Sequence, residues 1–340
     1  MKLMFPKSIF LFFVSILLVS CTKEATLSFY AMNTFMTVRS FAKNPEKANE
    51  AVRKRILQIE ELISTTTETS DVYRLNHSDE PISAVSDETA LLMGFSLNLA
   101  QKTRGALNPC LYPITSAWGF TTDNFRVPSD SEITELLPLT DFSKVRASGK
   151  NISLENNMMI DFGAVGKGFA SDEAVRILKE FGVKSAVIDF GGNVHVIGKK
   201  KAGAIKRSDW LVGIKDPFSG KTAAAIKTSD KAVITSGGYE RFFEDNSGKR
   251  YIHIFDGKTG KPAESNIASV TIVASSGLYA DGLSTAMFVL GKDAALDFWR
   301  QSGDFEMILI LNEDSIAITA GLKDSFRLVR PFKRIEILGR

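Results

Sequence analysis

A glycine-rich turn between two apolar runs constrains this chain more than any other stretch. The apolar run from Met158 to Phe162, which we expect to be a strand, leads into glycines at positions 163, 166 and 168, and an amphipathic helix follows. A second apolar run, Ser185 to Phe190, ends at two further glycines. Backbone N–H groups at such a helix start attract anions, and Lys167 adds a charge suited to phosphate. The spacing matches neither common nucleotide-binding fingerprint, so a plain tight turn and a phosphate cradle both remain open.

The first twenty residues have the pattern of an export signal. Lys2 and Lys7 give a basic start, and the apolar run from Ile9 to Val19 is too short for a stable membrane-spanning helix. The run ends at Cys21, after a small residue, which resembles the lipobox of bacterial lipoproteins. We therefore predict a signal peptide over residues 1–20, lipidation at Cys21 and a polar tether over residues 21–28. An ordinary secretory signal with an incidental cysteine is the alternative.

Residues 29–340 are predicted to form one domain, without repeats, linkers or low-complexity segments. Hydrophobic residues make up 44% of the chain and charged residues 24%, and the net charge of +3 gives no sign of nucleic-acid binding. Strand-like and helix-like stretches are intermixed without strict alternation, which favours an α+β fold over a doubly wound sheet. We expect helices over residues 45–63, from Ser86 or Asp87 to about 104, over 278–290 and over 293–301, with mostly strands between 194 and 274. After cleavage at Cys21, Cys110 would be the one other thiol, which excludes an intramolecular disulfide.

Two more clusters place polar side chains among apolar neighbours. His253 alternates with apolar residues on a strand expected over residues 251–255, so it is either a half-buried structural residue or a catalyst. Asp281 and Thr285 are four residues apart near the start of an apolar helix, so their oxygens share one face. A buried carboxylate needs a partner. Asp281 therefore either caps the helix or joins Thr285 in binding a hard cation such as Mg²⁺.

These clusters resemble the ApbE-like family of FAD:protein FMN transferases, in family order and over nearly the whole mature chain. The matching segments are Met32-Asn33-Thr34, Ser64-Thr65 with Arg74-Leu75-Asn76, Pro113 to Phe120, Asp161 to Gly168, Thr235 to Arg241, His253 to Pro262 and Ala280 to Ala286. Each segment alone is weak, but together they are specific. The resemblance implies a single mixed α/β domain of the ApbE-like type, related to the T-fold, with a central FAD cleft.

The resemblance also implies a set of site residues. The metal ligands for a Mg²⁺ on the FAD diphosphate would be the Ala164 carbonyl, Asp281 and Thr285. The residues that hold FAD or line its cleft would be Met32, Thr66, Ala106, Leu107, Asn108, Asp161, Lys167 and the backbone near Phe255. Three residues would be catalytic: Lys167 stabilises developing charge, Asp281 holds the metal, and His253, with nearby carboxylates, takes a proton from the acceptor.

The implied reaction cleaves FAD, attaches FMN to a threonine of an exported or membrane redox protein, and releases AMP. Because acceptors in this family are subunits of membrane redox complexes, an anchor at Cys21 would face the periplasm, with the inner membrane favoured over the outer. Two departures from the family pattern stand out. Asn33 replaces a glycine. Thr66 stands where many members carry an aromatic residue, so the resemblance implies a missing stacking contact on FAD and a site that excludes water less well. The alternatives are therefore a Mg²⁺-dependent FAD diphosphatase and a non-catalytic flavin-binding lipoprotein.

Overall fold

The structure is a computed structural model that describes residues 22–340, except residues 79, 81, 83, 156 and 203–205. The predicted signal peptide over residues 1–20 and the lipidation site Cys21 lie outside the described residues and stay predictions. Within the described ranges, no helix combines the length and the hydropathy that crossing a membrane requires.

The helices form where apolar residues recur at helical spacing. They are α1 (Pro45–Ile63), α2 (Asp71–Asn76), α3 (Asp87–Lys102), α4 (Tyr112–Ala117), α5 (Asp130–Leu136), α6 (Gly166–Glu180) and α7 (Gly277–Ser302). Ser86 caps α3, since its Oγ accepts the Thr89 N–H at 3.1 Å. Gly291 divides α7 into two helical parts, because its backbone there is non-helical, with φ 76° and ψ 170°. The prediction of two helices in this region is therefore confirmed.

The strands range from two to nine residues in length. They are β1 (Lys23–Ala31), β2 (Thr34–Ala42), β3 (Arg146–Ser148), β4 (Asn151–Ser153), β5 (Ser185–Phe190), β6 (Asn193–Gly198), β7 (Lys200–Ala202), β8 (Lys206–Ser208), β9 (Trp210–Lys215), β10 (Thr222–Thr228), β11 (Ala232–Gly237), β12 (Phe242–Glu244), β13 (Arg250–Ile252), β14 (Phe255–Asp256), β15 (Lys261–Pro262), β16 (Ile267–Ala274), β17 (Glu306–Leu311), β18 (Ser315–Thr319), β19 (Phe326–Leu328) and β20 (Arg334–Leu338).

One nine-stranded sheet organises these elements, in the order β1-β2-β5-β6-β11-β16-β17-β18-β20. Its neighbouring strands are antiparallel except for the parallel pair β18 and β20. Helices α1, α6 and α7 cover one face over the largest apolar core. A three-stranded sheet of β9, β10 and β19 packs on the other face through a second core, which includes Trp210 and Ile226. The predicted mixed α+β class is confirmed.

Different turns and helix termini lie at the two ends of this sheet. The register pairs Ala31 with Thr34 and Phe190 with Asn193, so the turns at residues 32–33 and 191–192 lie together. We call this end of the sheet the turn end. At the opposite end, Lys23 pairs with Ala42 in β1 and β2, and residue 185 pairs with residue 198 in β5 and β6. Helix α1 ends and α6 begins at the turn end, which brings both helix termini to one place.

The predicted tether is wrong from Lys23 onward. Residues 23–28 belong to β1, and the ladder to β2 begins at the first residue of that strand. The Asn49 Nδ2 atom of α1 also donates to the Ala25 carbonyl at 3.1 Å. Backbone pairing on one side and a helix side chain on the other therefore hold a segment whose polar composition suggested a loose connection.

Two expected strands are also corrected. Residues 158–162 do not form a strand, because Asn76 takes the place of a neighbouring strand: its Oδ1 accepts the Ile160 N–H at 2.8 Å and its Nδ2 donates to the Ile160 carbonyl at 2.9 Å. The strand expected over residues 251–255 is interrupted at His253. There the His253 N–H donates to the Arg241 carbonyl at 3.1 Å, outside the ladder.

Candidate active site

Asp281 lies at the centre of the candidate site. Its carboxylate is 4% exposed, and it accepts the Gly168 N–H on Oδ2 at 2.7 Å and the Asn193 amide on Oδ1 at 2.9 Å. A Cβ on Gly168 would lie 2.2 Å from the Gly277 carbonyl oxygen, so only glycine lets α6 approach α7 this closely. The glycine-rich turn therefore places the Gly168 N–H where it donates a hydrogen bond to Asp281, a residue far away in the sequence.

The start of α7 has a different cap. The Ser276 Oγ accepts the Tyr279 N–H, and Asp172 of α6 accepts the backbone N–H groups of Gly277 and Leu278 at 2.6 and 3.0 Å. The alternative in which Asp281 caps the helix is therefore wrong. Burial raises the pKa of Asp281, while Lys167 and the donors described above oppose that rise.

Thr285 lies one helical turn beyond Asp281 and is half-buried. Its Oγ1 is 3.5 Å from the Ser236 Oγ, which in turn is 2.7 Å from the Ser284 Oγ. A Cβ on Gly282 would lie 3.3 Å from Val165, so the segment that contains Ala164 packs against this turn of α7. The three predicted metal ligands thus come from two neighbouring segments, Ala164 from one and Asp281 with Thr285 from the other.

This donor set fits a hard cation for which water or substrate supplies most of the ligands. It offers one carboxylate, one hydroxyl and a nearby backbone carbonyl, all oxygen donors. In the part of the chain that the structure describes, no three histidine, cysteine, aspartate or glutamate side chains gather as metal ligands. A buried carboxylate with a raised pKa gains from a cation beside it, because the cation offsets the cost of desolvation.

Lys167 lies near both Asp281 and His253, and its positive charge lowers the pKa of each group. The His253 Nδ1 lies 2.9 Å from the Arg241 carbonyl oxygen. Because a carbonyl can only accept a hydrogen bond, Nδ1 carries the hydrogen and Nε2 is the free acceptor. Burial lowers the pKa of His253 to about 4, and the charges of Lys167 and Arg241 add to that effect. The structure therefore presents a neutral imidazole beside a cation.

Asp161 and Asn108 are brought together by the irregular segment before α6. The Asp161 N–H donates to the Pro109 carbonyl at 2.9 Å, and its Oδ1 accepts the Gly163 N–H at 2.8 Å. Burial raises the pKa of Asp161, and that hydrogen bond opposes the rise. The Asn108 amide lies beside Gly257, where a Cβ would be 3.1 Å from its Nδ2. Asp161, Asn108 and the segment after His253 therefore share one wall.

Three predicted cofactor residues can offer only their backbone. Ala106 and Leu107 are 6% and 2% exposed and belong to the main core. Phe255 is 4% exposed and packs with Trp118 and Phe120 in a separate aromatic cluster. Phe255, Ala106 and Leu107 stay predicted ligand-binding residues, and any contact they make with a ligand would go through their backbone atoms.

The tip of the β1–β2 hairpin and the end of α1 close the remaining side. Met32 and Asn33 both have positive φ, 49° and 57°, as a two-residue hairpin turn requires. Asparagine tolerates that region, which explains how Asn33 replaces the family glycine. The Met32 N–H donates to Glu60 at 2.6 Å, and Thr66 lies exposed just beyond α1, with its hydroxyl 3.2 Å from that of Ser64.

Comparison with known proteins decides the family. The model of the ApbE family matches residues 32–309. The chain belongs to the ApbE family. It is 32% identical to the FAD:protein FMN transferase of Treponema pallidum, over 91% of this chain and 92% of that protein. It is 28% identical to the FAD:protein FMN transferase of Haemophilus influenzae, over 89% and 91%.

Solved structures of the ApbE family agree with this assignment. The ApbE protein of Thermotoga maritima matches with a TM-score of 0.82 and 33% identity, covering 89% of this chain and 99% of that one. The flavin transferase ApbE of Vibrio cholerae matches with a TM-score of 0.80 over 89% of this chain and 99% of that one. At 24% identity, the second match shows the shared fold alone.

Several residues of this ApbE-family site escaped the sequence analysis. Asn193 and Asp172 orient Asp281 and the helix that carries it, and Glu60 holds the hairpin tip. Asn193 had a usable signal, because an amide directly after two glycines at a strand start can turn toward a site. Asp172 and Glu60 had none, since each is one acidic residue among several on an amphipathic helix.

Proposed function

We propose that this ApbE-family chain is a Mg²⁺-dependent FAD:protein FMN transferase. A threonine hydroxyl of the acceptor attacks the FMN-side phosphorus of FAD, the diphosphate bond breaks, and AMP leaves as an FMN–threonine phosphoester forms. The observation that carries the proposal is the buried Asp281 carboxylate, held between Gly168 and Asn193 with Thr285 one turn away. A site that merely stores flavin has little need of such an arrangement.

The chain's own residues divide the work. When bound, Mg²⁺ would neutralise charge on the diphosphate, with Asp281, Thr285 and the Ala164 carbonyl as its protein ligands. Lys167 and the N–H groups at the start of α6 would stabilise charge that develops on the phosphoryl oxygens. The Nε2 of His253 would accept the hydroxyl proton. Its pKa of about 4 would rise when an anionic diphosphate offsets the charge of Lys167, which makes it a better base in the complex.

Hydrolysis of FAD to FMN and AMP is the second candidate. Thr66 is exposed and bonds to Ser64, so it provides no aromatic cover over a bound flavin nucleotide. Water would then compete with the acceptor hydroxyl for the same phosphorus. The two reactions share every catalytic residue and differ only in the nucleophile.

The deciding experiment incubates the full chain with FAD and Mg²⁺, with and without a threonine-containing acceptor peptide, and follows AMP, free FMN and labelled peptide. If the chain transfers FMN, the amount of labelled peptide should match the amount of AMP released. If it hydrolyses FAD, free FMN should match the AMP and the peptide should stay unlabelled. Asp281→Asn should abolish AMP release, whereas Asp293→Asn, an exposed change on the same helix, should not. AMP release that persists in chelator would refute the metal-dependent mechanism.

We also propose that the protein is exported and anchored through a lipid on Cys21, facing the periplasm from the inner membrane, near acceptors that belong to membrane redox complexes. The support is the basic start, the apolar run and the small residue before Cys21. Cys21→Ser should release the protein from the membrane fraction, because each buried methylene of an acyl chain contributes about 0.8 kcal/mol. Retention of an unmodified variant in membranes would rule the anchor out.

A further inference from the structure

Exposed lysines gather at the end of the sheet opposite the candidate site. The structure describes each of these six side chains as exposed, and together they define what we call the basic end: Lys23, Lys43, Lys47, Lys179, Lys184 and Lys200. They come from segments far apart in the sequence. Their common location is therefore a property of the fold and cannot be read as a charge run.

The strand register and the helix directions place these lysines together. Lys23 begins β1, opposite the last residue of β2, and Lys43 comes directly after β2. Lys47 lies in the first turn of α1. Lys179 and Lys184 border one hollow of about 340 Å³ beside Gly198, where β6 ends. Lys200 follows two residues after that glycine.

The acidic residues around the basic end do not cancel this charge. Glu24, Glu180 and Asp209 pair with other cations, namely Arg39, Arg176 and Lys199. Glu46 and Asp230 are the nearby acids outside these pairs. Among the ion pairs of the described residues, none includes any of the six lysines. Their charges are therefore available to an anionic surface.

The chain also enters the fold at the basic end. Lys23 is two residues after Cys21 and four after Val19, where the apolar run ends. A chain advances at most about 3.6 Å per residue, so the start of β1 lies within roughly 15 Å of Val19. Whether a lipid on Cys21 or the apolar run itself engages a bilayer, the basic end is the part of the domain that reaches the bilayer first.

We propose that the basic end is a docking surface for the anionic headgroups of a lipid bilayer, and that docking turns the candidate site away from that bilayer. Lys167 and Lys179 are twelve residues apart on α6, which separates the two ends by about 18 Å. That separation exceeds the Debye length of about 8 Å at physiological salt, so the site lies beyond the headgroup field. The proposal depends on neither lipidation nor FMN transfer.

The test places the full chain in two kinds of vesicle, phosphatidylcholine alone and phosphatidylcholine with phosphatidylglycerol. Amide hydrogen exchange is then compared residue by residue. At low salt, residues 181–184 and 198–200 should exchange several-fold more slowly on the anionic vesicles, and residues 190–193 at the turn end should not change. High salt should remove the difference, because it screens the attraction.

A charge-reversed variant, Lys43→Glu with Lys179→Glu and Lys184→Glu, should lose this protection. Each lysine near an anionic surface contributes roughly fivefold in binding, so losing three lowers docking by about 100-fold or more. The matched control reverses three exposed lysines elsewhere, Lys102, Lys221 and Lys333, and should behave like wild type. Exchange of the core strands in detergent, equal in all three proteins, shows that each is folded.

Three outcomes would overturn the proposal. One is equal exchange on both kinds of vesicle. Another is a control variant that loses protection as fully as the charge-reversed one. The third is protection at residues 190–193 in place of the basic end, which would turn the candidate site toward the bilayer. Because no FAD is present, none of these outcomes depends on the catalytic proposal.

Discussion

Replacing Asn193 by leucine tests whether the site is built around an ionised Asp281. The substitution keeps the branched shape and the number of heavy atoms, and it removes the amide that donates to Oδ1 at 2.9 Å. Asn193 and Asp281 are 3% and 4% exposed, so water cannot replace the lost donor without opening the structure. A hydrogen bond to a charged group is worth about 1.5–3 kcal/mol, and we expect a loss of roughly 2 kcal/mol in the free energy of unfolding.

A double-mutant cycle isolates this contact from other effects of the leucine. Urea unfolding, followed by the fluorescence of the buried Trp118, Trp210 and Trp299 in the presence of chelator, gives each free energy of unfolding. In an Asp281→Ala background, Asn193→Leu should cost little, since its partner is gone. The coupling energy should then approach 2 kcal/mol, and a value below about 0.5 kcal/mol would refute the contact as an energetic link.

The same variant has a pH signature with a definite sign. The Asn193 amide is one of the effects that lower the pKa of Asp281, so its loss raises that pKa further above the ordinary value. The penalty for Asn193→Leu is full where the carboxylate is ionised. It should shrink as pH falls through the raised pKa, because the protonated group no longer needs the donor. A difference between variant and wild type that is constant from neutral to acidic pH would contradict this.

Three further predictions concern single positions. Gly168→Ala would place a Cβ 2.2 Å from the Gly277 carbonyl oxygen and should destabilise the fold by at least about 2 kcal/mol, whereas Gly94→Ala, with no atom within 4 Å, should not; equal stabilities would contradict the close approach. The His253 ring should titrate by NMR with a midpoint of about 4, and its contribution to stability, full above the ordinary pKa, should fall as pH drops toward 4; a midpoint near 6.5 would be inconsistent with its burial. Thr66→Tyr should lower free FMN relative to labelled acceptor, measured as a product ratio, and an unchanged ratio would show that this position does not control the nucleophile.

Elements with strong local signals were predictable from the sequence. The apolar period of α1 and the cap at Ser86 match their expected positions, because each depends on neighbours close in sequence. The strand expected over residues 158–162 failed for the opposite reason. The segment does have the apolar pattern of a strand. However, the Asn76 side chain of α2 makes the hydrogen bonds to its backbone that a neighbouring strand would make, and the pattern of apolar residues does not predict such a contact.

The sequence pointed to Asp281 as a residue that needs partners, but it did not indicate which residues contact it. A carboxylate on an apolar helix had to have partners, and that expectation is confirmed. The partners themselves lie far away in the sequence: Gly168 is 113 residues from Asp281, and Asn193 is 88 residues from it. The sequence does not distinguish Thr66 from Leu107, since each simply adjoins a family motif. The structure shows that Thr66 is exposed and Leu107 is buried, and this difference arises from packing.

These long separations also set the order in which the site can be assembled. The groups around Asp281 come from the start of α6, the start of β6 and the first half of α7, and the last of them lies more than four-fifths of the way along the chain. Contacts between distant residues form late in folding, because the intervening loop must close first. If the chain is exported from its N-terminus, as proposed above, it has no complete site until α7 has crossed the membrane, and any activity it has begins only on the far side.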